Sequence, residues 1–144
     1  MAKIQIAEEA TDKLVAAYEK LIPQLSQSSR PPTKQDLERM INSDTTTVLI
    51  ATNKDDQIVG TMTLVLFRIP TGLRAWIEDV IVDSESQGKG IGKKLNQKAL
   101  NIAEKAGAKT VELTSRPSRE AANRLYQNLG FEKRETNIYR FTFD

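Results

Sequence analysis

No cysteine and no histidine occur among the 144 residues, and the two absences remove a large part of enzyme chemistry. Disulfides and thiol nucleophiles are excluded. So are Ser-His triads, histidine general bases and zinc sites built on Cys or His. Any catalytic proton must travel through Glu, Asp, Tyr, Lys or water. Aromatic residues make up only 6%. No apolar run approaches the roughly 18 residues of a membrane span, and the N-terminus has no signal-peptide apolar region. An excess of one charge is also missing: 21 Lys and Arg against 19 Asp and Glu leave +2, too little to argue for nucleic acid. The expectation is a single cytoplasmic domain spanning 1–144, without a nucleic-acid or membrane partner. Its 39% apolar and 28% charged residues are ordinary for that class.

Hydrophobic period sets out the elements. Lys3 to Ile6 is a short first strand. Leu14, Val15, Tyr18, Leu21 and Ile22 recur at helical spacing, and Pro23 ends that helix. Thr33 with Asp36 forms a capping box for a second helix carrying Leu37, Met40 and Ile41. Thr47 to Thr52 and Ile58 to Arg68 are β-branched and apolar around the turn cluster Asn53-Lys54-Asp55-Asp56, and Pro70-Thr71-Gly72 turns into a third strand ending at Val82. A helix follows, with Gly107 as its stop. Lys109 to Thr114 is a strand, Pro117-Ser118 opens a helix ending at Gly130, and Phe131 to Glu135 and Asn137 to Phe143 finish as two strands. The order β, αα, βββ, α, β, α, ββ predicts an α+β fold with a mixed, mostly antiparallel twisted sheet flanked by helices.

Gln87-Gly88-Lys89-Gly90-Ile91-Gly92 joins the third strand of the meander to the following helix. Alternate glycines let the backbone turn sharply and approach a ligand closely. Their amides and the helix N-terminus make a site for phosphate oxygens. Two phosphate motifs fail on spacing. A P-loop needs Ser or Thr after its lysine, and Lys93 is followed by Lys94. A dinucleotide fingerprint needs G-x-G-x-x-G, and Gly88-x-Gly90-x-Gly92 lacks the third spacing.

The run does match Q/R-x-x-G-x-G/A through Gln87, Gly90 and Gly92. Ala122, Leu125, Tyr126, Gly130 and Phe131 supply A-x-x-L-Y-x-x-x-G-F downstream. With both motifs in order, the chain resembles the GNAT superfamily of acyl-CoA-dependent N-acetyltransferases over essentially its whole length. Ile77-Glu78-Asp79-Val80 is locally similar to glucosamine-6-phosphate N-acetyltransferases, while the C-terminal half resembles uncharacterised bacterial members, so no sugar acceptor is carried over. The resemblance implies acetyl-CoA as co-substrate. It implies that the amides of Gln87, Gly88, Lys89, Gly90, Ile91 and Gly92 cradle the coenzyme A pyrophosphate, with Lys93 adding charge at the helix start. It also implies that Ile81 and Val82 pair with the pantetheine arm through their main chain. Tyr126 would protonate the departing thiolate, or else pack with Leu125 and Leu129 against the sheet. Many members carry Asn where this chain has Arg119, so Asn123 or Arg119 stands in for that pantetheine contact.

Without histidine, Glu78 is the leading base and Asp79 the second candidate. Alternation puts Glu78, Val80 and Val82 on one face and Asp79, Ile81 and Asp83 on the other. Burial among Trp76, Ile77 and Val80 would suit a general base; pairing with Arg68 or Arg74 across the hairpin, or a base acting through ordered water, is the alternative. The expected reaction is direct attack of a small-molecule or protein amine on the thioester in a ternary complex, with no metal. A non-catalytic acyl-CoA sensor is the rival reading. The apolar last strand, Ile138 to Phe143, suits a homodimer.

Overall fold

Thr46–Thr52 and Ile58–Ile69 form strands β2 and β3, paired antiparallel from Thr46↔Val65 to Thr52↔Ile58. Asn53 closes the turn between them: its Oδ1 accepts from the amides of Asp55 and Gln57 at 2.9 and 3.0 Å, the local bonding that favours Asn in turns. β1 (Lys3–Ile6) joins β2 and β4 (Gly72–Val82) joins β3, both antiparallel. β5 (Val111–Glu112) is parallel to β4 and pairs only through Ala75↔Val111 and Trp76↔Glu112. The structure is a computed structural model describing residues 2–144. Its sheet order is β1-β2-β3-β4-β5, the mixed and mostly antiparallel α+β sheet the sequence predicts.

Thr11 caps α1 (Asp12–Leu25), accepting from the amide of Leu14 at 3.1 Å. Leu14, Tyr18, Leu21 and Ile22 bury its inner face. Pro23 does not end this helix as expected; it sits inside the last turn, which Ser26 N–H closes onto Ile22 O at 2.8 Å. A proline in a helix interior costs about 3 kcal/mol, but here little helix remains beyond it to break. Burying Leu21 and Ile22 returns roughly 1.5–3 kcal/mol each. The capping box of α2 (Lys34–Asn42) forms as expected: Thr33 Oγ1 accepts from Asp36 N–H at 3.1 Å, and Asp36 Oδ2 from Thr33 N–H at 3.0 Å.

Residues of β3 alternate between two covered faces. Thr61 and Thr63 stand opposite Ile50 and Val48, and Val48, Ile50 and Ile81 share a core with Leu14, Tyr18 and Leu21 of α1 and Leu37 of α2. The other face, with Gly60, Met62 and Leu64, meets α3 (Ile91–Ala106), whose Ile91, Leu95, Ala99 and Ala103 are buried. Contact is closest at Gly60: a Cβ there would lie 3.2 Å from Ile91 Cγ2 and 3.3 Å from Ile81 O. The first residue of α3 is thereby fixed against the sheet.

The chain divides into two compact units, one ending at Leu113 and the other Thr114–Asp144. In the second, α4 (Glu120–Asn128) begins later than Pro117-Ser118 suggests, with Arg119 as an N-cap that lends no side-chain bond. Asn123 Nδ2 holds the preceding turn instead, donating to the carbonyls of Arg116 and Arg119 at 2.9 Å each. The two final strands, Phe131 to Glu135 and Asn137 to Phe143, do not form; residues 131–144 have no regular structure. Their β-branched and aromatic residues favour a strand only where a neighbour supplies the ladder and a face to bury. Among the described residues none does, and Ile138, Tyr139, Phe141 and Phe143 are 67–88% exposed. The Lys109 to Thr114 strand is shortened to Val111–Glu112, although Lys109 N–H still donates to Leu73 O and Thr110 O accepts from Ala75 N–H, at 2.9 Å each.

Candidate active site

β4 ends at Val82 and the chain passes through one 3-10 turn, Ser84–Ser86, into the glycine run. Gly88 and Gly90 both take left-handed φ, +80° and +76°, and a Cβ on either would meet nothing within 4 Å. Conformation alone therefore requires glycine here, and the space in front of the loop is open. Gly90 is the N-cap of α3 and gives it no side-chain cap, so the first amides of α3 keep their capacity for an anion. Gln87, Lys89 and Lys93 are exposed, Gly92 is half-buried, and the Ile91 side chain belongs to the core, which leaves only its backbone for a ligand. Lys94 turns away to donate to the carbonyl of Ala2 at 3.2 Å.

The root of this loop is held from α1. Asp83 is buried, and its carboxylate receives Lys20 Nζ at 2.9 Å, Glu85 N–H at 3.3 Å and Gln24 Nε2 at 3.4 Å. Gln24 Oε1 accepts from Ser84 N–H at 2.9 Å. The hydrogen bond from Lys20, outweighing burial, holds the Asp83 carboxyl below its ordinary range. No local sequence signal marks this cluster, because its two halves lie some sixty positions apart.

Upstream, β4 carries a bulge. Thr63 pairs with Glu78 and Thr61 with Ile81, so β4 uses one residue more than β3 between these pairs. The extra length falls at Asp79, whose φ of +49° is left-handed. This overturns the expected alternation: Glu78 shares its face with Trp76 and Ile81, not with Val80 and Val82. Glu78 Oε2 accepts from Trp76 Nε1 at 3.0 Å. Both Glu78 and Asp79 are exposed, so the expected burial among Trp76, Ile77 and Val80 is absent. Arg74 does not pair with them either; it donates to the hydroxyls of Thr71 and Thr110 at 3.0 and 3.4 Å. Ile81 is buried and Val82 half-buried. Beyond Trp76, β4 has no pairing with β5.

Under the bulge lie two residues the sequence reading did not bring together. Tyr18 and Thr61 are both buried, and neither hydroxyl has a hydrogen-bond partner. The Thr61 hydroxyl is near enough to act on the phenol, though the pair falls short of a well-formed bond. Burial chiefly pushes the Tyr18 phenol up to about 12; Thr61 works against this and the negative charge of Asp79 adds to it.

In the second unit, Tyr126 is buried and meets Phe131 edge-on, with ring centroids 5.7 Å apart. Burial raises its pKa and the Arg119 charge pulls the other way. Asn123 uses its amide nitrogen within its own turn.

The fold is a mixed sheet with an anion-ready glycine loop between its bulged strand and the following helix. The chain belongs to the acetyltransferase (GNAT) family, whose model matches residues 11–131. Members are acyl-CoA-dependent N-acetyltransferases, and use of acetyl-CoA is a general property of the family. An uncharacterised N-acetyltransferase of Methanocaldococcus jannaschii is 39% identical over 61 residues, 42% of this chain and 27% of that protein. An N-alpha-acetyltransferase of Schizosaccharomyces pombe is 35% identical over 71 residues, 49% of this chain and 47% of that protein. The chain thus spans less than half the length of these curated relatives. Among solved structures, a glucosamine-6-phosphate N-acetyltransferase from Arabidopsis thaliana superposes with TM-score 0.82 at 22% identity, covering 100% of this chain and 99% of that one. An acetyltransferase of Trypanosoma brucei gives 0.81 at 21%, covering 99% and 100%. Both show a shared fold.

Proposed function

We propose that this chain, as one domain over 1–144, transfers an acetyl group from acetyl-CoA to a primary amine of a small-molecule or protein acceptor. The observation that carries the reading is the loop from Gln87 to Gly92, with two glycines in left-handed backbone and an uncapped helix N-terminus behind it. An anion there is stabilised by oriented amides and the helix dipole. Gln87, Gly88, Lys89, Gly90, Ile91 and Gly92 then hold the pyrophosphate, with Lys93 adding charge. The free side of β4 at Ile81 and Val82 supports a pantetheine arm lying along its main chain, and backbone N–H groups there would stabilise the oxyanion.

The amine must be neutral to attack. Glu78, oriented by Trp76, takes its proton directly or through water, and Asp79 on the bulge is the second candidate. Tyr126 gives a proton to the departing thiolate. Burial makes the phenol a weaker acid, and Arg119 offsets part of that penalty. Asn123 or Arg119 supplies the coenzyme contact; the Asn123 amide nitrogen is engaged in its own turn, so Asn123 would act through its side-chain oxygen. The N-alpha-acetyltransferase relative makes a peptide amine one acceptor worth including. The setting is cytoplasmic, with no membrane or nucleic-acid partner.

Thiol release from acetyl-CoA across a panel of amines and peptides tests this. Turnover with at least one acceptor, lost in Gly90→Val, is the expected result. Coenzyme A binding with no turnover on any acceptor would favour the sensor, and no binding at all would reject the donor assignment.

A further inference from the structure

We infer that Lys20 and Gln24 of α1 are positioning residues for the anion loop, holding its root at Asp83 and Ser84 so that the Gln87–Gly92 amides converge on one ligand. The inference rests on the coenzyme A reading above. The loop has little rigidity of its own: Gln87 to Gly90 are exposed, and Gly88 and Gly90 face open space. Glycine gives up more backbone freedom on ordering than any other residue. A tight anion site built from it needs a fixed point.

That fixed point is supplied from outside the loop. Gln24 grips the root with both ends of its amide, accepting from Ser84 N–H at 2.9 Å and donating to Asp83 Oδ1 at 3.4 Å. Lys20 reaches Asp83 Oδ2 at 2.9 Å. Asp83 N–H donates to Val59 O at 2.8 Å, and Ser86 N–H donates to Asp83 O at 2.8 Å. The chain between β4 and the glycines is therefore bonded to both β3 and α1.

Charge gives the same assignment. Asp83 and Glu85 lie just upstream of a loop meant for a diphosphate, where carboxylates would repel it. Lys20 faces both of them and offsets that repulsion. Lys20 and Gln24 occupy successive turns of a helix that Leu14, Tyr18 and Leu21 lock into the core, so they act from a rigid support.

An ordinary surface ion pair is the competing account. The Lys20 side chain is 60% exposed, and pairs of that kind contribute little to stability. The two roles therefore separate: a positioning role appears in ligand affinity, a structural one in melting temperature. Coenzyme A titrated calorimetrically into the full chain and into Lys20→Met, Gln24→Ala and Lys20→Arg makes the test. Lys20→Met and Gln24→Ala should raise Kd by about three- to tenfold, with Lys20→Arg close to the parent. KM for acetyl-CoA should rise while kcat holds, and the rise in Kd should persist at temperatures where each variant is fully folded. Affinities within twofold of the parent, or losses that track melting temperature and kcat together, overturn the inference while leaving the coenzyme site standing. A parent chain that does not bind coenzyme A overturns both.

Discussion

Tyr18 and Thr61 each bury a hydroxyl without a hydrogen-bond partner, and leaving such a group unpaired costs roughly 1–3 kcal/mol. Tyr18→Phe should therefore leave stability at pH 7 unchanged or slightly raised, read from thermal melts. A clear loss would mean that the hydroxyl has a partner. The same residue sets an alkaline limit. Its folded pKa of about 12 lies above the ordinary 10, so the fold holds the phenol neutral, and stability that is full below pH 10 falls as pH rises toward 12. Tyr18→Phe should flatten that limb. Asp83 behaves in the opposite sense. Lys20 lowers its folded pKa, so its contribution is present above the ordinary carboxylate value near 3.9 and disappears as pH falls through the folded value. Denaturation of Asp83→Asn should show a shallower acid limb below about pH 4, and an unchanged limb would remove Asp83 from the account.

The elements differ in how openly the sequence announces them. The capping box at Thr33 and Asp36 and the turn at Asn53 are local: the residues that signal each one also make its bonds. The glycine loop was legible for the same reason, since Gly88 and Gly90 sit where only glycine avoids strain. The bulge at Asp79 was not, because it arises from register against β3, and period-two alternation carries no trace of an added residue. The clamp on Asp83 was hidden by distance along the chain, and Pro23 misled because a breaker in a final turn breaks little. These facts set two outcomes. In Gly88→Ala or Gly90→Ala no atom is struck, so the penalty is the left-handed strain of about 1–2 kcal/mol. The exposed loop relaxes in the free chain and meets the strain on binding, so coenzyme A affinity should fall about tenfold with little change in melting temperature. Asp79→Gly should raise the melting temperature by relieving φ +49°. If Asp79 is a base, turnover falls in the same variant; a gain in stability with full turnover leaves Glu78 as the candidate.

At the scale of the molecule, the least legible part is the last segment, where the pattern was read correctly and the pairing was not. Tyr139, Phe141 and Phe143 recur at period two, as a strand requires, yet they are 82–88% exposed, and Phe141 and Phe143 touch each other at 5.2 Å between ring centroids. An aromatic side chain left in water forgoes roughly 1.5–3 kcal/mol of burial. Three in one stripe, on backbone with no ladder, form a surface that a second copy of the chain can cover. The homodimer expected from this segment follows as a proposal of self-association. Sedimentation velocity across the micromolar range should show the full chain moving from monomer to dimer with concentration. Phe141→Ser with Phe143→Ser should remain monomeric, because it removes two of the three aromatics of the stripe while leaving the elements up to Gly130 untouched. A full chain that stays monomeric at its highest soluble concentration would reject a second copy as what covers the stripe.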